Sequence, residues 1–180
     1  MTLIVETGTG DPAAESYCSV ADADAYHLSF GNTAWAALAV GDKEVALRKA
    51  TAYIDQTYVD RWDGYLVTNT QALNWPRTQV RRRNAPTTYG STTGFMVSYW
   101  PYNSVPVAVL RACAGLAFRT GTTGAELAPD QERKTVLERI GPIITHYEDG
   151  SSQLTRYTAI ERMLGPLLKG GAYNFNVSRA

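Results

Sequence analysis

The sequence predicts a mainly α protein: a small bundle of about four helices with a long irregular loop, a short β-hairpin and an extended C-terminal arm. Three observations predict it. Apolar residues recur at spacings of three and four in several separate stretches. That periodicity disappears between residues 61 and 104. Two short β-branched runs, Lys134–Ile140 and Ile143–Tyr147, flank Gly141-Pro142 as strands flank a turn.

The elements follow in chain order. Ser19, three residues before Asp22, has the spacing of a capping box with Asp in place of the usual Glu. Behind it Val20, Ala23, Tyr26, His27 and Phe30 make one apolar face, and Gly31-Asn32 stops the helix. A short Ala-rich turn with Trp35 and Leu38 leads to Asp42, the expected N-cap of a second helix over about 43–60. Its apolar stripe is Val45, Leu47, Ala50, Tyr53, Ile54 and Tyr58, with Lys43, Arg48, Lys49, Gln56 and Asp60 mostly opposite.

Residues 61–104 combine Gly, Pro and Asn with Trp62, Tyr65, Trp75, Tyr89, Phe95, Tyr99, Trp100 and Tyr102. Long loops of this kind inside a domain are functional or ordered by a partner, and the aromatic content excludes a merely solvated linker. A third helix begins near Pro106, with Ser104 or Val105 at the cap. Its mostly apolar run through Phe118 predicts burial nearly all round, ending at Gly121 and Gly124. The hairpin, about 132–148, comes next. A last helix over about 155–169 carries Tyr157, Ile160, Met163, Leu164, Leu167 and Leu168, with Pro166 kinking or ending it. Residues 1–169 form one domain in this reading. Residues 170–180 are a flexible arm whose Tyr173, Phe175 and Val177 alternate as they would in a strand added to a neighbour.

Composition narrows the function. The chain has 180 residues, 44 % hydrophobic and 19 % charged, with 17 basic and 17 acidic side chains. Zero net charge argues against a general polyanion binder. No apolar run approaches a membrane span, and the opening Met1–Glu6 predicts no signal peptide. Cys18 and Cys113 sit in apolar patterns, as reduced core thiols of a cytosolic protein do. Charge is segregated locally. Residues 1–60 hold nine acids against three bases, a net of −6, while residues 61–111 hold six arginines against Asp63, a net of +5. Either copies meet head to tail or two differently charged partners bind, or the fold brings the two parts together internally.

Catalytic patterns are missing. His27 and His146 lack zinc-ligand spacing. Asp22 and Asp24 before His27 are better explained as first-turn acids favoured by the helix dipole. Gly121-Thr-Thr-Gly124 lacks the lysine of a phosphate loop, and neither cysteine has a neighbouring base. No enzyme activity, cofactor or metal is expected. The remaining signal is Trp75-Pro76-Arg77, followed by Arg81, Arg82 and Arg83. Arginines pair with phosphate and bases stack on aromatics, so these residues fit a nucleic-acid contact loop. They also fit a loop docking on an acidic protein surface, or a solvated basic loop.

An ordered set of segments resembles one family. It comprises Leu3–Gly10, Glu15–His27, Gly31–Leu38, Ala50–Gln56, Gln71–Arg77, Val105–Val109, Ile140–Ile143 and Tyr147–Asp149. The set is similar to tailed-bacteriophage proteins often labelled DnaT-like single-stranded-DNA-binding proteins, which in turn resemble head–tail connector, or adaptor, proteins. The similarity runs from residue 3 to about 168, and the aromatic stretch 84–103 and the Tyr/Phe tail depart from the usual pattern.

The resemblance implies a structural virion protein of the neck, assembled in the host cytoplasm. It implies a ring of copies, commonly twelve, beneath the portal protein, extending the channel for genomic double-stranded DNA toward a stopper or tail-completion protein. The aromatic loop and tail would then become ordered on assembly. On this reading Trp75, Arg77, Arg81, Arg82 and Arg83 would contact a neighbouring subunit, the portal or the DNA lumen, and Tyr173, Phe175 and Val177 would dock on the portal. The family label implies the alternative, a single-stranded-DNA-binding protein of phage replication.

Overall fold

The structure, a computed structural model, describes residues 2–82, 85, 89–90, 94–95, 98–128, 137–140, 143–146 and 155–169. It is mainly helical. The elements are α1 (Val20–Ser29), α2 (Thr33–Ala36), α3 (Val40–Tyr58), β1 (Tyr65–Leu66), β2 (Arg77–Thr78), β3 (Tyr89–Gly90), β4 (Gly94–Phe95), α4 (Val107–Thr123), β5 (Leu137–Ile140), β6 (Ile143–His146) and α5 (Thr158–Leu164). A single 3-10 turn, Gly165–Leu167, extends α5, with Pro166 in its first positions. The strands pair as three separate antiparallel hairpins, β1–β2, β3–β4 and β5–β6. The last is the hairpin the β-branched runs predict, with Leu137 opposite His146 and Ile140 opposite Ile143.

α3 and α4 form the centre of the bundle, α5 and α2 pack on α4, and α1 packs on α2, α3 and α4. Leu47, Ala50, Ile54, Val109, Ala112, Leu116, Ala117, Ile160, Leu164 and Leu167 make the apolar interior. Full burial of each larger aliphatic chain contributes about 1.5–3 kcal/mol. α1 begins as its sequence predicts: the Ser19 hydroxyl accepts from the Asp22 amide at 3.0 Å, replacing a bond the first turn cannot make within the helix. α4 ends at Gly124, in the left-handed conformation, φ 66°.

Three expectations are corrected. α3 starts at Val40, so Asp42 lies inside the first turn and does not cap it. The buried stripe of α3 is rotated: Ala46 and Thr51 are inside, whereas Val45 is exposed. Lys43, expected on the wet side, is only 6 % exposed. Its ammonium bonds Asp24 of α1 at 3.0 Å and lies 5.8 Å from the Trp35 ring centre, which also satisfies the attraction of a cation for an aromatic face. The Ala-rich turn is itself the one-turn helix α2, present because Trp35 is buried against α1 and α4 and its indole N–H donates to Asp24 at 2.7 Å.

The N-terminal segment is fixed by a buried acid. Glu6 is 3 % exposed. Its Oε1 accepts from the amides of Gly8, Thr9 and Gly10 at 2.7, 2.8 and 3.0 Å, and Oε2 from Asp11 at 2.8 Å. Successive amides converging on one anion form a nest. Gly8 is required here: at φ 106° a Cβ would stand 2.2 Å from the Asn103 carbonyl oxygen.

Both cysteines are free and buried. Burial raises both thiols, Cys113 to about 11, where its sulfur also sits 3.3 Å from the Thr51 hydroxyl. No described helix is long and apolar enough to cross a membrane.

Candidate nucleic-acid interface

The segment 61–82 lacks periodicity, yet it is packed. Trp62, Trp75 and Val80 are fully buried. The two indoles meet edge to face, centres 5.8 Å apart. Side chains then bind the backbone where no ladder can. Gln71 accepts from the Val67 and Thr68 amides at 3.0 Å each and donates to the carbonyls of Leu73 and Pro76 at 2.7 and 3.1 Å. Asp55 of α3 accepts from the Asn74 amide at 3.2 Å and from the Tyr17 hydroxyl, which itself accepts from the Trp75 amide at 3.2 Å. Burial raises the pKa of Asp55 and, with the adjacent Asp55 charge, that of Tyr17. The Trp75–Pro76 peptide is cis.

This packing decides two residues expected to make external contacts. Trp75 has no exposed surface, and Arg77 is 7 % exposed. Arg77 donates to the carbonyls of Asp63 and Gly64 at 2.8 Å each and of Asn74 at 3.2 Å. Its guanidinium ties three loop carbonyls together and is not free to pair with phosphate. The sequence groups Arg77 with Arg81 by proximity; both line one groove, but loop carbonyls hold Arg77 in the wall while Arg81 is exposed. The expectation that the whole of 61–104 is ordered only on assembly is likewise corrected for 61–82, which the isolated chain already holds.

Arg81 and Arg82 are exposed. Residues 80–82 run antiparallel to 98–100: the Arg82 amide donates to the Ser98 carbonyl at 2.8 Å, the Trp100 amide to that of Val80 at 2.9 Å, and Arg81 lies opposite Tyr99. Opposed residues in such a pair carry their side chains on one face. Arg82 stacks over Trp100, 4.7 Å from the ring centre. Arg83 and the tail residues Tyr173, Phe175 and Val177 lie outside the described residues.

Around Arg81 the chain forms an open groove of about 460 Å³, lined by Asp63, Gly64, Tyr65, Arg77, Gln79, Arg81, Tyr99 and Lys169. Tyr65 is 68 % exposed and Tyr99 is also exposed. Lys169 arrives from the far end of the chain because its amide donates to the Arg61 carbonyl at 2.7 Å and Trp62 pairs with Leu168. Two exposed phenol rings beside Arg81 and Lys169 offer stacking faces and cations together. Asp63 is the acid in the groove. Sequence reasoning missed Tyr65, Gln79, Tyr99 and Lys169 as site residues; only the excess of aromatics in 61–104 pointed toward the two tyrosines. Among the described residues no cluster of His, Cys, Asp and Glu could hold a metal. His27 is committed inside the bundle: Nε2–H donates to the Ala114 carbonyl at 3.0 Å and Nδ1 accepts from the Asn32 amide group at 3.0 Å.

Fold and groove together define a small helical protein with a cationic, aromatic-lined surface. The chain belongs to the family described as "Putative DnaT-like ssDNA binding protein", whose model matches residues 1–180. No curated protein matches the chain. No solved structure matches it.

Proposed function

We propose that this chain is a non-enzymatic protein that binds single-stranded DNA through the Tyr65–Tyr99 groove. The observation that carries the reading is the convergence of Tyr65, Tyr99, Arg81 and Lys169 on one open surface. The two rings supply sequence-tolerant stacking, and Arg81 and Lys169 follow the phosphates. The neutral chain restricts the contact to this local patch. Affinity is therefore modest and falls steeply with salt. Fluorescence polarisation with a labelled oligonucleotide tests this. Log affinity should fall with log salt at about −0.7 per phosphate neutralised, and Tyr65→Ala or Tyr99→Ala should each cost about 1–3 kcal/mol. The absence of saturable binding at low salt would overturn it.

A second reading, the ring-forming head–tail adaptor of a virion neck, is favoured by a different observation. Leu28, 83 % exposed, and Phe30, also exposed, lie at the C-terminal end of α1, whose first turn carries the exposed Asp22. α1 meets α3 at Lys43, whereas the basic groove lies beyond Tyr58, about 22 Å along the helix. Apolar and acidic groups at one end and cations at the other suit a head-to-tail contact that closes a ring. In this reading the portal protein, a stopper protein and genomic double-stranded DNA are the partners. Residues 170–180 are then the docking arm. Electron cryomicroscopy of purified virion necks tests it: a closed ring beneath the portal is the expected result. Absence of the chain from intact particles would remove this reading and leave the first.

A further inference from the structure

Gln79 sits where residue type and backbone disagree. Its φ is 60°, and it alone among the described non-glycine residues has a positive φ. Glycine enters this region freely and Asn or Asp enter it with local help, but a Gln gains nothing there. The neighbours force the turn. On one side Val80 is fully buried and its carbonyl accepts from Trp100. On the other, Thr78 is paired with Tyr65, and its carbonyl lies so close to Gly64 that a Cβ there would stand 2.1 Å away. Strained residues held in this way mark functional positions. The outcome is an exposed carboxamide on the groove wall. It has no hydrogen-bond partner among the described residues, whereas the Gln71 carboxamide in the same segment uses both its atoms.

Among the side chains that line the groove only Gln79 carries a carboxamide; the others are engaged, cationic or phenolic. Arg77 is held by three carbonyls. Asp63 accepts from the Gly64 amide at 3.0 Å and faces the Arg81 amide at 3.5 Å. Arg81 and Lys169 suit phosphates, contacts that position a strand without reading it. Tyr65 and Tyr99 stack on any base. The carboxamide of Gln79 offers a planar donor–acceptor pair, and adenine presents the matching pair on two edges, N7 with N6–H and N1 with N6–H. A duplex hides one of these edges and a single strand exposes both.

We infer that Gln79 is a specificity-determining residue that reads the edge of a base, adenine best, so that the groove takes a base-bearing single strand and not any flexible polyanion; this rests on the single-stranded-DNA reading above. Gln79→Gly removes the carboxamide and suits the backbone, so the variant keeps its fold, checked by circular dichroism. Affinities of both proteins are measured for oligo(dA), oligo(dT) and an abasic strand of equal length, each across a salt series. The expected result is a loss of about fivefold toward oligo(dA) in the variant, the low end for one bidentate base contact. Oligo(dT) should lose less, and the abasic strand and the salt slopes should not change. An equal loss on all three strands, or unchanged affinity for oligo(dA), overturns the role of Gln79 while the DNA-binding reading stands. Failure of the wild-type chain to bind any of the strands overturns both.

Discussion

Along α3 and α4 the interior is built by repetition: Leu47, Ala50, Ile54 and Tyr58 face Val109, Ala112, Leu116 and Ala117, one residue per turn or so on each helix. Along 61–82 the interior holds Trp62, Trp75 and Val80 at no regular interval, and the backbone between them is held by side chains. A helix satisfies its own amides and carbonyls, so its side chains are free to supply only packing. An irregular segment must find a partner for every buried backbone group. Gln71, Asn74, Arg77 and Asp55 are those partners, which is how a loop rich in polar residues buries its tryptophans without a regular ladder. The same logic governs the N-terminus, where Glu6 alone serves four amides.

The comparison can be broken most severely through its aromatic anchors. Trp75→Ala empties the loop side of the interior and should lower unfolding free energy by about 3–5 kcal/mol, as a large core truncation does. Leu47→Ala, on the helical side, should cost about 2–5 kcal/mol. Urea denaturation monitored by circular dichroism measures both.

Arg77→Met separates the two regions more cleanly. It keeps the volume of the side chain but leaves the carbonyls of Asp63, Gly64 and Asn74 without their donor. An expected loss of about 2–3 kcal/mol follows from orphaned buried acceptors. Arg77→Lys should recover little, because an ammonium cannot reproduce the planar fork. A stability equal to wild type in Arg77→Met would show that the segment is held by its tryptophans alone.

His27 tests a polar group within the helical region. Burial holds its pKa below the ordinary 6.5. A group depressed in the folded state contributes stability that is complete above 6.5 and is lost as pH falls through the folded value. Protonation would also place a proton on Nδ1, where Asn32 now donates. Unfolding midpoints followed below pH 6.5 should therefore decline, and His27→Gln should flatten that part of the profile even if it is less stable at neutral pH.

The smallest effect on stability belongs to Arg81→Ala. The side chain is exposed, so the change should stay within about 0.5 kcal/mol. Binding to single-stranded DNA should nevertheless weaken, with the salt slope reduced by about 0.7. Arg77 and Arg81, four residues apart, would then have opposite profiles: one moves stability and the other moves binding.

The amino-acid sequence by itself determined the four longer helices, the hairpin over 137–146 and the cap at Ser19, because spacing, turn residues and caps act within a few positions. It also marked the arginine loop as the place where charge and aromatics meet. Only the tertiary structure decided which members of that loop face outward. Arg77 and Arg81 are the same residue type in the same local composition. Their difference comes from Asp63, Gly64 and Asn74, whose carbonyls reach Arg77 once the segment has folded. Tyr65, Gln79, Tyr99 and Lys169 come from positions as far apart as 65 and 169 in the chain, and nothing local to any one of them announces the others. They meet because Trp62 pairs with Leu168 and Arg81 with Tyr99. Lys43 shows the same limit inside the bundle: the helical period placed it in water, and Asp24 with Trp35 drew it in. Short-range geometry is written in spacing, whereas the choice between burying and presenting a polar side chain depends on which partners the folded chain brings to it.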